Sequence, residues 1–187
     1  MRRICLASES PRRRELMNMT GIPFFVSSAK IEEKINPTLD LKDAVADLAK
    51  QKALAVFEKY PNEIIVAADT VVVIDNEVLG KPKNEEDARR MLEMLSNRNH
   101  QVITGVAILS NTIEDIFYEV TDVKFGNLSQ ETIDWYISTK EYYDKAGGYA
   151  IQGKGILLVE KIDGDYSNVV GLPMHKLINE LRKFIEM

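Results

Sequence analysis

The chain has 187 residues, 45% of them hydrophobic and 28% charged, with a formal net charge of −5; that is close to one ordinary domain with enough apolar mass for a substantial core. The acidic balance argues against a general nucleic-acid binder, which presents a basic face, and no run of roughly 18 uncharged apolar residues is available to span a bilayer. Cys5 is the only cysteine, which excludes an internal disulfide and a thiolate zinc cluster, and the apolar run after Met1-Arg2-Arg3 stops at Ala7-Ser8, short of a secretory core of ~7–15 residues, so the chain reads as cytoplasmic.

In chain order, residues 3–7 read as a short strand ending at Ser8-Glu9-Ser10-Pro11. Serine at an N-cap followed by proline at the first helical position starts a helix, which runs to about Thr20 and stops at Gly21. Residues 24–27 read as a second strand and 29–39 as irregular, with Asn36-Pro37 as a breaker. Asp40 opens a long amphipathic helix that ends before Pro61. Residues 63–74 carry the strongest strand signal: Ile and Val with little alternation, as in a strand buried on both faces. Asp75-Asn76 marks a turn, Gly80-Lys81-Pro82 a tight loop, and Asn84-Glu85-Glu86-Asp87 an acidic helix start running to about Leu95. Strands follow at 101–109 and 116–125, then a helix from Ser129, a glycine-punctuated region, a strand at 156–162 and a closing helix at 172–185. Strands and helices interleave without linker or repeat, which predicts one α/β domain over 1–187, with a mixed central sheet flanked by helices.

Three places contradict their surroundings. Arg12-Arg13-Arg14 fall in the opening turn of a helix, where positive partial charge already resides. A bound anion removes that conflict, with Ser8 and Ser10 hydroxyls beside it; solvated arginines are the plain alternative. Asp69 interrupts an apolar run, so it must be paired, bind a metal or face a cleft. Lys52 falls on the apolar stripe of Val45, Leu48, Ala49 and Val56, from which it either snorkels to solvent or reaches into a polar site. Lys81 is a cation on a short rigid loop after the strand bearing Asp69, and Glu32 and Glu33 are adjacent acids in a polar segment; on the residues alone a solvated reading is the stronger one for all three. His100 and His175 have no metal-ligand spacing and read as structural or surface residues, and Cys5 as core. No P-loop, dinucleotide fingerprint or nucleophile elbow is present. From the residues alone the chain is an α/β enzyme for an anionic, phosphorylated ligand.

Leu6-Ala7-Ser8-Glu9-Ser10-Pro11-Arg12-Arg13-Arg14-Glu15-Leu16 resembles the opening signature of the Maf family. Further segments match in order: Ala67-Ala68-Asp69-Thr70-Val71-Val72 with Leu79-Gly80-Lys81-Pro82, then His100-Gln101-Val102-Ile103-Thr104-Gly105-Val106, then residues 144–153 (Asp-Lys-Ala-Gly-Gly-Tyr-Ala-Ile-Gln-Gly) continuing to 168–173. The resemblance implies a fold like that of the inosine triphosphate pyrophosphatases, with a cleft between two lobes and a possible homodimer. It also implies hydrolysis of a nucleoside triphosphate to the monophosphate and pyrophosphate, with a divalent cation such as Mg or Mn. On the family pattern Asp69 is the proton acceptor, Arg13, Lys52 and Lys81 hold phosphates, and Ser8 holds the substrate beside the helix. Glu33, with Glu32 as rival, joins Asp69 at the metal, and Arg12, Thr70 and Gln152 choose the base. An amide at Gln152 offers both a donor and an acceptor, suiting a uracil or thymine edge, and together with an uninterrupted Pro11-Arg12-Arg13 it resembles the dTTP/UTP subgroup. The alternatives are a 7-methyl-GTP or other modified-purine pyrophosphatase and a nucleotide-binding regulator of septum formation. Asn97 stands where the family commonly has glycine and Tyr142 where it commonly has proline, departures that touch loop geometry.

Overall fold

The computed structural model describes residues 2–185. Its strands form a seven-stranded mixed sheet in the order β2-β1-β3-β5-β6-β7, with β4 attached to β3, and helices flank it. The strands are β1 (Ile4–Leu6), β2 (Phe24–Val26), β3 (Ile64–Ile74), β4 (Glu77–Leu79), β5 (Asn99–Leu109), β6 (Glu114–Phe125) and β7 (Val159–Asp163). The helices are α1 (Pro11–Asn18), α2 (Leu41–Phe57), α3 (Glu85–Leu95), α4 (Gln130–Ser138), α5 (Tyr166–Val170) and α6 (Met174–Leu181). Among the described residues no helix is long and apolar enough to cross a membrane.

The chain forms two compact units. One comprises the described residues up to Asp69, Thr104–Glu119, and those from Gly171 onward; the other comprises Thr70–Ile103 and Val120–Val170.

In the first unit β1 pairs parallel to both β2 and β3, with Leu6 opposite Val26 and Val66. Small residues let α2 lie close to this sheet: Ala49, Ala53 and Val56 pack with Cys5, Ala7, Ile65, Ala67, Ala107 and Leu109. Gly105 is the closest approach, since a Cβ there would fall 2.4 Å from the Val45 carbonyl oxygen. Cys5 is buried, and loss of hydration pushes its thiol pKa up to about 11; it is core, as its strand position predicts.

In the second unit α3 and α4 pack on a core of Val72, Ile74, Leu79, Leu92, Leu95, Val102, Phe125, Ile133 and Tyr136, among others. Strand β4 is not anticipated by the sequence reading. Asp75 and Asn76, both at positive φ (50° and 63°), make the two-residue turn that folds it back antiparallel on β3, a conformation that Asn and Asp tolerate. Asn97 lies at φ 56°, which explains why glycine is its common alternative and why asparagine serves. Tyr142 is buried in the same core.

Two boundaries differ from expectation. The strand predicted at 156–162 begins at Val159, because Gly153–Leu158 coil into a 3₁₀ turn. Gly155 there passes so close to the Ala150 carbonyl oxygen, five residues earlier, that a Cβ would stand 2.0 Å from it, a close backbone approach that only glycine permits. The closing helix predicted at 172–185 is confined to Met174–Leu181 after Pro173, and the short α5 precedes it.

Candidate active site

Strand β3 is buried from Ile64 to Ala68, partly open at Asp69, Thr70 and Val71, and buried again from Val72 to Ile74. Its parallel neighbour β1 ends at Leu6, opposite Val66. Ala68 and Asp69 therefore lie just past the carboxyl end of β1, where the chain turns through Ser8 into α1. Carboxyl ends of parallel strands are where open α/β sheets bind ligands.

The three anomalies of the sequence meet here. Lys52 reaches from α2 and donates to an Asp69 carboxylate oxygen, and its ammonium lies 3.0 Å from Glu33. The side chains of Lys52 and Asp69 are 24% and 15% exposed, so this is a partly solvated pair. Arg13 donates through Nε to the Gly171 carbonyl (2.7 Å) and through Nη1 to the Ala68 carbonyl (2.8 Å) and, more weakly, to Ser8 Oγ (3.4 Å). Burial of the guanidinium pulls its pKa down to about 10, Asp69 opposes that shift, and Arg12 adds to it. Arg13 remains fully charged at neutral pH and fixed against the strand carrying Asp69. Ser8 is buried, and its Oγ accepts from the Ser10 backbone N–H at 3.2 Å.

The start of α1, like that of α6, lacks the side-chain cap that α2, α3 and α4 carry. Asp40, Asn84 and Ser129 accept bonds from Asp43, Asp87 and Thr132 backbone N–H groups and so cap α2, α3 and α4. Ser10 occupies the N-cap of α1 without a side-chain capping bond, and the first turn holds no acid. The positive end of this helix is complemented by none of its own side chains.

Glu33 is thereby drawn to Lys52, whereas Glu32 is exposed and makes none of these contacts. Two carboxylates sharing one ammonium leave a net negative cluster of oxygen donors. Among the described residues no group of three or more His, Cys, Asp or Glu side chains is placed to hold a metal ion. Two carboxylates nonetheless suit Mg or Mn, which take few protein ligands and complete their shell with water and phosphate oxygens. Asp69 and Glu33 thus offer oxygen ligands of the kind a hard divalent cation takes.

The remaining candidates belong to the second unit. Thr70 follows Asp69 on β3 and is partly buried. Exposed Lys81 pairs with Asp144 at 2.5 Å, and the Gly147 backbone N–H donates to the Gly80 carbonyl at 3.0 Å. The segment bearing Lys81 is thus tied to the segment that leads to Gln152. Gln152 is extended (φ −80°, ψ 157°) and partly exposed, and its amide makes no hydrogen bond among the described residues.

Sequence reading missed Asp144 as the counter-charge of Lys81, although Asp144 opens one of the quoted motifs. It also left His100 open between structural and surface roles. His100 is 2% exposed, and its Nε2 is 2.7 Å from the Tyr149 hydroxyl. The available signal was alternation along β5, which puts His100 in phase with buried Val102.

The polar cluster at the carboxyl ends of β1 and β3 defines an α/β protein with lysine, arginine and carboxylates gathered on a strand-turn-helix frame. Residues 3–184 match the family model for Maf-like protein. The dTTP/UTP pyrophosphatase of Bacillus mycoides is 48% identical over 184 residues, covering 98% of this chain and 96% of that protein. Proteins of the same description from Bacillus velezensis (49% over 183 residues, 98% and 97% covered) and Bacillus cereus (47% over 184 residues, 98% and 96%) are similarly related. The chain belongs to the Maf-like protein family.

Proposed function

We propose that this chain is a cytoplasmic nucleoside triphosphate pyrophosphatase that hydrolyses dTTP and UTP to the nucleoside monophosphate and pyrophosphate. The observation that carries the reading is Lys52 bridging Asp69 and Glu33, with Arg13 anchored on the adjacent carbonyl of Ala68. The names of relatives 47–49% identical over 98% of the chain support the choice of substrate.

Cleavage between the α and β phosphates needs positioning and charge neutralisation more than covalent help from the protein. Asp69 takes the proton of the water that attacks the α-phosphorus, and the bridging oxygen leaves with the pyrophosphate. Arg13, Lys52 and Lys81 neutralise the phosphates, and Ser8 hydrogen-bonds beside the helix start. Glu33 and Asp69 would hold a divalent cation, Mg or Mn, which when bound supplies further neutralisation of phosphate oxygens. Lys52 itself, poised between the two carboxylates, presents its ammonium to phosphate oxygen. Arg12, Thr70 and Gln152 face the choice of base: the Gln152 amide presents a donor to O4 and an acceptor to N3–H of uracil or thymine.

The test is pyrophosphate release from a panel of canonical and modified nucleoside triphosphates with Mg or Mn, with Asp69→Asn run alongside. UTP and dTTP are expected to be preferred, with turnover falling about 10²- to 10⁴-fold in a folded Asp69→Asn protein, the ordinary range for loss of a general base. A preference for guanine nucleotides, or normal turnover in the variant, overturns the reading.

A further inference from the structure

A glutamine amide does not by itself separate uracil from cytosine. Uracil offers an acceptor at O4 and a donor at N3, cytosine a donor at N4 and an acceptor at N3, and turning the amide over exchanges its own donor and acceptor. Discrimination requires the amide to be held one way up. Gln152 has no side-chain hydrogen bond among the described residues to hold it, so its orientation is inherited from its backbone.

That backbone is unusually constrained. Gly147, Gly148 and Gly153 all take positive φ (67°, 72° and 70°). Gly147 N–H is bonded to the Gly80 carbonyl (3.0 Å), and Lys154 N–H donates to a Glu141 carboxylate oxygen (2.8 Å). Between these ties the segment is fixed from inside by Tyr149, which is 5% exposed. Its hydroxyl is 2.7 Å from His100 Nε2 on β5, and its ring packs edge-on against His100 (5.5 Å) and Phe125 (4.7 Å). His100 Nδ1 is buried without a hydrogen-bond partner among the described residues. The unpartnered Nδ1 therefore carries a cost in this largely apolar core, and packing alone would be served as well by two apolar rings.

We infer that His100 and Tyr149 are positioning residues for base recognition: their buried hydrogen bond fixes the segment that presents Gln152. The inference rests on the reading above, in which Gln152 meets the base. The ordering of one amide, not contact with the phosphates, is what the pair supplies, so its loss acts on binding of the correct base and leaves the chemical step in place. Burial keeps the imidazole neutral through the neutral range and the phenol protonated, so the bond persists wherever the enzyme works.

The experiment measures kcat and KM for UTP, dTTP and CTP in the wild type, Tyr149→Phe, His100→Gln, Gln152→Ala and the Tyr149→Phe/Gln152→Ala double variant, with thermal unfolding of each. Tyr149→Phe keeps the ring and removes only the hydroxyl; His100→Gln keeps a polar group within reach of it. The expected result is that Tyr149→Phe raises KM for UTP and dTTP about tenfold with kcat nearly unchanged. Preference for UTP over CTP shrinks by a similar factor, and His100→Gln retains more of that preference than Tyr149→Phe. In the Gln152→Ala background Tyr149→Phe is expected to have no further effect, because both changes act through one amide. Equal losses on all three nucleotides, or additive effects in the double variant, overturn the inference and leave the functional reading intact. A wild type with no preference for UTP or dTTP overturns both.

Discussion

Replacing His100 by glutamine removes an imidazole from the core of the second unit, and the consequence appears in how stability depends on pH. The folded-state pKa of His100 is pulled from 6.5 down to about 4, chiefly by burial, with a smaller opposing pull from Asp122. Between those values the unfolded chain binds a proton that the native protein refuses, so the unfolded state binds more protons and stability rises with pH. The contribution is fully present above about 6.5, declines as pH falls, and reaches its floor below about 4. A shift of about 2.5 units corresponds to roughly 3 kcal/mol over the whole window, of which about 2 kcal/mol is lost between about pH 7.5 and about pH 5. Urea unfolding of wild type and His100→Gln across that interval gives two stability curves whose difference isolates the histidine, since the carboxylates titrate in both. The wild-type curve is expected to fall more steeply by about 2 kcal/mol. Parallel curves would refute the burial argument, because they require an imidazole that protonates in the native state as freely as in the unfolded chain.

Lys52→Met is expected to lower kcat/KM for UTP by about 10²-fold, the scale for loss of one stabilising charge at a reacting phosphate. It should cost no more than about 2 kcal/mol of stability, because the pair it breaks is partly solvated; steady-state pyrophosphate release and urea unfolding check the two parts, and unchanged kcat/KM would remove Lys52 from the site. Gly105→Ala is expected to destabilise by at least about 3 kcal/mol, since its Cβ would stand 2.4 Å from the Val45 carbonyl oxygen. Gly126→Ala, whose nearest atom would be 4.0 Å away, should stay within about 1 kcal/mol of wild type in the same unfolding assay.

Much of the fold is written in local signals. The unrelieved Ile and Val of β3 and the capping residues Asp40, Asn84 and Ser129 mark their elements because the physics involved reaches only a few residues along the chain. Two boundaries escaped because they depend on backbone packing that no periodicity shows. The 3₁₀ turn at Gly153–Leu158 follows from contact between Gly155 and Ala150, and the shortened closing helix follows Pro173. In the candidate site, Asp69 and Lys52 were legible as misplaced charges, since each breaks an apolar pattern. That they pair with one another, and that Glu33 but not Glu32 joins them, depends on how α2 and the irregular segment before it lie against β3, which no periodicity encodes. The proposed roles of Thr70, Lys81 and Gln152 rested on family resemblance, because an isolated threonine, a loop lysine and a glutamine carry no charge or pattern anomaly.

The division of the chain also bears on how the gene can be altered. The first unit draws on three stretches of sequence and the second on two, and β3, β5 and β6 each pass from one to the other within a single strand. No start or stop codon can be moved to express either unit alone, because each unit is assembled from separate stretches whose boundaries at Asp69/Thr70, Ile103/Thr104 and Glu119/Val120 fall inside strands. Ribosomal synthesis completes the stretches of the second unit at Val170, before the first receives its last stretch from Gly171 onward. A break or insertion at the exposed turn Asp75-Asn76, between β3 and β4, would by contrast leave every strand whole.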